Sequence, residues 1–340
     1  KSPNTEIIIN CAGRTRSIIG AQALINFGIK NKVYALENGT QGWFLANLKL
    51  DHGKTKFLDK TPKNEKINEL RDKILNLLEN KVEIIDFNQA QKLINDQNIT
   101  TYVFDVRTNS NQKNKLSKLR NVPGGQLVQA TDKYIGVLKS HVIVFDDGDL
   151  VRAGMTALWL KKMNYHCYVV NESPKKIKNL NLKHDVNFKT NSINLIKLEN
   201  LKNLKDTPIF DIRNSFDYCK KRIKKSVWTN RLIITKEITN YHKSIILITD
   251  DLPKASLIVR DLQEKDPKYV VQVYHWNETD VEHYLDYIDT TEVELDEKFI
   301  DFNFHTHLRH QGNKEHAKNY LKWETDLIKN MDEEERGFFR

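Results

Sequence analysis

A chain of 340 residues with 39% hydrophobic and 29% charged residues holds apolar material for two or three domains rather than one core. Its mean hydropathy of −0.60, with no run near the ~18 to 20 apolar residues of a membrane helix, excludes a helical membrane protein, and no membrane partner is expected. The net charge of +9 comes from lysines scattered among Asn and Ile, without the aromatic-basic interleaving that stacks bases, so nucleic-acid binding is not expected.

In chain order, the first element is the apolar run Ile7-Ile8-Ile9, which leads into the polar loop Cys11-Ala12-Gly13-Arg14-Thr15-Arg16. A helical pattern then runs from Ser17 to Phe27 and is stopped by Gly28. Residues 52–66 are polar and lysine-rich, and Ile67, Leu70, Ile74, Leu77 and Leu78 fall at helical spacing, which predicts a linker carrying one amphipathic helix. Tyr102-Val103-Phe104-Asp105-Val106-Arg107 is an apolar strand ending in Asp-x-Arg. The run His141 to Phe145 follows, with Asp146 and Asp147 behind it and a helix through Met155, Leu158, Leu160 and Met163. Pro208 to Arg213 repeats the Asp-x-Arg strand, and Ser244 to Thr249 with Asp250 and Asp251 repeats the second run, ahead of a helix through Ile258 and Leu262. Continuous Ile/Val/Leu runs before helices are the pattern of parallel strands covered on both faces. The chain closes with an aromatic stretch over 299–304 and a helix over 314–330 carrying Ala317, Tyr320, Leu321, Leu327 and Ile328. The acidic end Asp332-Glu333-Glu334-Glu335 reads as solvated.

The spacing of these signals sets the organisation. Asp105 precedes Asp147 by 42 positions, Asp211 precedes Asp251 by 40, and the two Asp-x-Arg signals are 106 apart, a domain-sized repeat rather than a solenoid period. The same arithmetic puts the Asp-x-Arg strand that would match Cys11 about 30 positions before residue 1, so the first domain is expected to be present as its C-terminal half. The expected division is 1–60 for that half-domain with the Cys11 loop, 61–81 for the linker, 82–180 and 188–290 for two inactive copies, and 291–340 for a C-terminal extension. Without its upstream strands, the 17–27 helix is expected to lose partners on its apolar underside.

The chemistry points to Cys11, at the C-terminal end of a strand and just ahead of a helix, where open parallel sheets place their ligand sites. Backbone N–H groups from Ala12 to Ser17 are suited to converge on one point, and the helix N-terminus adds partial positive charge, which is expected to lower the pKa of a thiol held there. Gly13 allows the tight turn, Arg14 and Arg16 are placed to hold an oxyanion, and Ser17 is suited to cap the helix.

The segment Cys-Ala-Gly-Arg-Thr-Arg-Ser from Cys11, followed by Ile-Ile-Gly-Ala-Gln and then by Asn38-Gly39-Thr40-Gln41-Gly42-Trp43, resembles the active-site half of rhodanese-type sulfurtransferases. The Asp-x-Arg strands and the Gly124-Gly125 turn after Val122-Pro123 resemble the entry half of the same domain. The stretch from Phe299 to Trp323 is similar to the C-terminal extension of multi-domain bacterial rhodanese-related proteins. The resemblance implies tandem α/β domains, each a mainly parallel sheet flanked by helices, plus a helical tail. It implies Cys11 as the persulfide-forming nucleophile, with Ala12, Gly13, Arg14, Thr15, Arg16 and Ser17 as the substrate-binding loop and no cofactor. Its partners would be a small sulfur donor such as thiosulfate and a thiol, cyanide or protein acceptor. Two alternatives stand beside it: a non-catalytic binding scaffold, and a phosphatase or arsenate reductase. The latter resemble Cys-x5-Arg, whereas Arg16 here gives Cys-x4-Arg, a loop fitted to a lone sulfur rather than a tetrahedral phosphate.

The second and third repeats carry Asp146 or Asp147, and Asp250 or Asp251, where the first has its cysteine. Carboxylates form no persulfide, so both read as inactive copies. Cys167, in an apolar strand, and Cys219 read as ordinary cysteines. An odd count of three without a C-x-x-C pair fits a reducing, cytoplasmic compartment, although a chain beginning without Met leaves an upstream signal peptide open. His305, His307 and His310 have metal-like spacing, but packing is the preferred reading and no metal is expected.

Overall fold

The longest apolar runs, over 141–145 and 244–249, become strands because both of their faces find cover. In the computed structural model, which describes residues 2–55, 64–108, 119–182, 193–203, 207–237, 243–294, 298–301 and 313–339, β1 (Ile7–Ile9) pairs in parallel with β2 (Val33–Ala35), with Ile8 opposite Tyr34. Between them lies α1 (Thr15–Asn26), ended by Phe27 and by Gly28 at φ +78°, and α2 (Gly39–Leu45) follows.

Next come α3 (Asn64–Leu78), β3 (Glu83–Ile85), α4 (Phe87–Asn95), whose start is fixed by a reciprocal capping box between Asp86 and Gln89, and β4 (Thr101–Asp105). The short β5 (Arg120–Asn121), α5 (Gly124–Gln129) and α6 (Thr131–Tyr134) lead to β6 (His141–Phe145), α7 (Val151–Lys162), β7 (His166–Val170) and α8 (Pro174–Ile177). The five strands from β3 to β7 form one all-parallel sheet in the order β3-β7-β6-β4-β5.

The later part repeats the plan with β8 (Asn194–Leu195), β9 (Ile209–Asp211), α9 (Ser215–Lys220), β10 (Arg222–Ile223), β11 (Val227–Trp228), α10 (Arg231–Glu237), β12 (Ser244–Thr249), α11 (Leu252–Lys265), β13 (Val270–His275), α12 (Glu278–His283) and β14 (Ile288–Asp289). Its parallel sheet runs β11-β9-β12-β13-β8. Read from the other edge, that is the order of the β3 to β7 sheet, with first, fifth, fourth, second and third strands side by side in both. A separate antiparallel pair joins β10 to β14. The tail supplies α13 (Lys314–Asn330), capped by Asn313, and the short α14 (Glu333–Gly337), which the acidic end forms through a capping box at Asp332. Two compact units result, one of Lys1–His184 with Gly312–Arg340 and one of Asp185–Gln311.

Alternation along β6 and β12 explains their unbroken apolar sequences. In β6, Val142 and Val144 enter the core shared with α3 and α7, while Ile143 and Phe145 enter the one beneath α4. In β12, Ile245 and Leu247 face one core while Ile246 and Ile248 face the other. All eight are fully buried.

The helix expected within a linker is integral to the first unit. Ile74 and Leu78 of α3 are fully buried against α7, approaching so closely that a Cβ on Gly154 would stand 2.8 Å from Ile74 Cγ1 and 2.9 Å from Leu78 Cδ1. The underside of α1 is not left bare either. Phe27 lies in the same core as Ile74, Leu78 and Leu160, and Ile19 and Ile29 pack against it. Ile8, Ile18, Ile25 and Tyr34 remain exposed.

Both Asp-x-Arg signals become ion pairs at strand ends. Arg107 reaches Asp105 through Nε at 2.8 Å and Nη2 at 2.7 Å, and Arg213 reaches Asp211 through Nε at 3.0 Å and Nη2 at 2.6 Å. The Arg213 guanidinium also lies over Trp276, 3.4 Å from the ring centroid. Burial raises the Asp211 carboxyl, with Arg213 opposing, and the bond to Asp105 raises Arg107 further. Of the aromatic tail, Phe299 is buried edge-on to Trp228 at 5.2 Å; residues 302–304 and His305, His307 and His310 lie outside the described residues. Among the described residues no helix is long and apolar enough to cross a membrane.

Candidate active site

Cys11 stands two residues beyond β1, in the turn that enters α1, and is partly exposed. The turn is held from behind by the start of α2: the Thr40 and Gln41 amides donate to the carbonyls of Cys11 and Ala12, each at 3.0 Å, and Thr40 Oγ1 donates to Ala12 O at 3.2 Å. In a trans peptide the N–H points opposite its carbonyl, so the amides of Ala12 and Gly13 are turned away from α2. The first-turn amides of α1 lack intrahelical partners in any helix, which adds Thr15, Arg16 and Ser17 to the donors around the cysteine loop.

Gly39 makes this close approach possible. It adopts φ +59°, and a Cβ there would stand 2.2 Å from Cys11 O and 2.3 Å from Gly13 O, closer than any side chain tolerates.

Ser17 does not cap α1. The N-cap position is Arg14, without a side-chain cap, and Ser17 is buried inside the first turn, donating from Oγ to Arg14 O at 2.8 Å. Its oxygen is then free to accept from Cys11 Sγ, 3.5 Å away. Arg14 is partly exposed. Arg16 leaves the cysteine loop: its Nη1 lies 3.5 Å from Gln126 Oε1, and its side chain borders a cleft of about 270 Å³ lined by Ile19, Pro123, Val128, Met155 and Trp159. Thr15 is turned toward the tail, where Oγ1 donates to Glu324 Oε1.

Sequence reasoning did not find the residues of α13 that meet this loop. Gln41 Nε2 donates to Ala317 O at 2.8 Å, Tyr320 Cε1 comes within 3.8 Å of where a Cβ on Gly13 would stand, and Glu324 holds Thr15. The one signal available was helical spacing of Ala317, Tyr320 and Leu321, which marks a buried face without naming what it covers.

The corresponding loop of the second repeat is closed on its own carboxylate. Asp146 accepts from the amides of Gly148 at 2.9 Å, Leu150 at 3.1 Å and Ala153 at 3.0 Å, occupying with its own oxygens the amides such a turn would offer to an anion. Burial pushes its pKa up to about 6, against those three hydrogen bonds. Asp147 turns outward to Arg107 at 3.3 Å and Arg152 at 3.8 Å. In the third repeat Asp251 caps α11 through the Lys254 amide, and Asp250 is exposed. Cys167 and Cys219 are both buried, and burial pushes the Cys167 thiol up to about 12.

The all-parallel five-stranded sheets flanked by helices define a mixed α/β protein, with Cys11 on a strand-to-helix turn of a separate two-stranded sheet. No family model matches the chain, and no curated protein matches it. Among solved structures it is similar to the crystal structure of thiosulfate sulfurtransferase from Pseudomonas aeruginosa, at 28% identity and a TM-score of 0.71, covering 99% of this chain. The chain spans 65% of the length of that protein. Similarity to the anaerobic ergothioneine biosynthesis enzyme from Chlorobium limicola, solved with trimethyl histidine, is slight: 13% identity and a TM-score of 0.24, over 64% of this chain and 65% of that one. It bears on neither fold nor site.

Proposed function

We propose that the protein is a rhodanese-type sulfurtransferase in which Cys11 carries the sulfur. The observation that carries this reading is the Cys11 turn itself, a partly exposed thiol whose loop carbonyls are tied back by Thr40 and Gln41, in a chain that matches a thiosulfate sulfurtransferase over nearly its whole length.

In the first half-reaction the Cys11 thiolate attacks the outer sulfur of a donor such as thiosulfate. The new Cys11 S–S bond forms as the donor S–S bond breaks, and sulfite leaves with the bonding pair. In the second, a thiolate or cyanide acceptor attacks the terminal sulfur and Cys11 departs as thiolate, so charge and atoms balance without a cofactor. Amides of the turn stabilise the terminal sulfur anion in the way that an oxyanion hole serves oxygen. As the thiol loses its proton, the Ser17 hydroxyl is placed to rotate from Arg14 O to the sulfur. Arg14 is the remaining donor-binding arginine of the loop, since Arg16 is directed to Gln126. The same displacement argues against phosphatase or arsenate chemistry, which needs the loop arginine wrapped around the oxyanion.

Incubation with thiosulfate followed by mass spectrometry is expected to add one sulfur to Cys11, and Cys11→Ser to abolish it, with negligible turnover of p-nitrophenyl phosphate. An adduct that persists on Cys167 or Cys219 in the variant would overturn the assignment. Cys11-dependent phosphate release as fast as sulfur transfer would replace it with the phosphatase reading.

A further inference from the structure

We infer that Glu324, on α13, is a specificity-determining residue of the Cys11 site, disfavouring doubly charged sulfur donors relative to singly charged ones. The inference rests on the sulfurtransferase reading and deepens it by naming the donor class.

Three contacts bring α13 to the cysteine turn: Gln41 to Ala317 O, Tyr320 beside Gly13, and Thr15 to Glu324. Thr15 is the first residue of α1, two positions before the Ser17 that touches Cys11. Glu324 therefore places a carboxylate against the first turn of α1, on the residue four positions after Cys11. One of its oxygens takes the Thr15 hydroxyl; the other, Oε2, is buried with no hydrogen-bond partner among the described residues. Among the described residues no cation pairs with it within salt-bridge distance, so its charge acts on the loop. The positive end of α1 and the turn amides attract a negative sulfur, and Glu324 works against them.

Coulomb energy is linear in the charge of the incoming donor. Whatever penalty Glu324 imposes on a donor bearing one negative charge is doubled for thiosulfate, which bears two. The fold-change for thiosulfate is then the square of that for a monoanion. This charge-dependent signature separates the role from that of a clamp, because loosening the loop would slow every donor alike.

The test uses the full chain with two substitutions. Glu324→Gln keeps an oxygen to accept from Thr15 and removes only the charge; Thr15→Val removes the hydrogen bond and leaves the charge. Sulfur loading of Cys11 is followed by mass spectrometry with thiosulfate and with 2-hydroxyethyl persulfide, which carries a single negative charge, and melting curves confirm folding. Glu324→Gln is expected to raise kcat/KM for thiosulfate roughly tenfold and for the persulfide roughly threefold, while Thr15→Val lowers both donors by one common factor. An unchanged thiosulfate-to-persulfide ratio in Glu324→Gln, or a common fall for both donors, overturns the inference while leaving the sulfurtransferase reading intact. No Cys11 adduct from either donor in the unaltered chain overturns that reading and the inference with it.

Discussion

Gly39 and Asp146 show how single residues separate an open cysteine turn from one closed on its own carboxylate. Because Gly39 sits at φ +59° with the carbonyls of Cys11 and Gly13 where a Cβ would be, Gly39→Ala must push the turn aside. Misplacement by an ångström is costly in a reacting geometry, so sulfur loading of Cys11 is expected to fall by about tenfold or more, measured against an unchanged circular dichroism spectrum. Loading at the original rate would show that the turn does not depend on α2. Asp146 makes a different prediction. Its folded pKa of about 6 lies above the ordinary 3.8, chiefly through burial, so the folded state binds this proton more tightly than the unfolded chain. The stabilisation is full below the unfolded pKa and is lost as pH rises through about 6. Relative to the parent, Asp146→Asn should flatten the pH dependence of unfolding free energy between about pH 4 and pH 6, by up to about 3 kcal/mol, read from urea denaturation. Parallel profiles would mean that Asp146 titrates normally.

At the scale of elements, the close seating of α3 on α7 is the contact most exposed to a single change. Leu78 is fully buried there and meets the bare backbone of Gly154. Leu78→Ala should cost about 2–5 kcal/mol, and Gly154→Val should also destabilise, because its neighbours Ile74 and Leu78 have no room to retreat. A loss below about 1 kcal/mol for Leu78→Ala would show that α3 is a peripheral linker after all. The strand-ending ion pairs obey a different rule. Asp211 is fully buried against Arg213, and removing one partner strands the other charge, so Asp211→Ala should destabilise the second unit by about 3–5 kcal/mol, seen in differential scanning calorimetry.

Across the first unit, one aromatic residue ties the Cys11 segment to the sheet that follows it. Phe27 belongs to the core built by α3, α5 and α7, with Lys73 Nζ 4.9 Å from its ring centroid and donating to Gly28 O. Phe27→Ala is expected to cost about 3–5 kcal/mol and to speed amide exchange across residues 7–46 more than in β4 and β6. Uniform exchange changes throughout the unit would mean that the segment and the sheet do not separate on this contact.

Much of this was legible in order and spacing. The unbroken runs at β6 and β12 announced strands buried on both faces, because in a parallel sheet no polar side chain is needed to meet water. The recurring Asp-x-Arg and Asp-Asp signals marked corresponding strands, and the shared strand order of the two sheets follows their spacing. Local chemistry also picked out the Cys11 turn, since a cysteine between an apolar run and a helix start is defined by neighbours in sequence. What local sequence could not contain is any contact made at long range. Ser17 reads as a cap until the helix is found to begin at Thr15; Arg16 reads as an oxyanion ligand until Gln126, 110 positions away, is seen beside it. Glu324 lies 309 positions from Thr15, on a helix whose spacing shows that one face is buried and says nothing of what lies beneath. The sequence by itself determined the longer strands and their order and singled out the Cys11 turn, because periodicity and nearest neighbours fix those. Only the tertiary structure decided which side chains surround that cysteine, because partners from distant segments meet only when the chain packs.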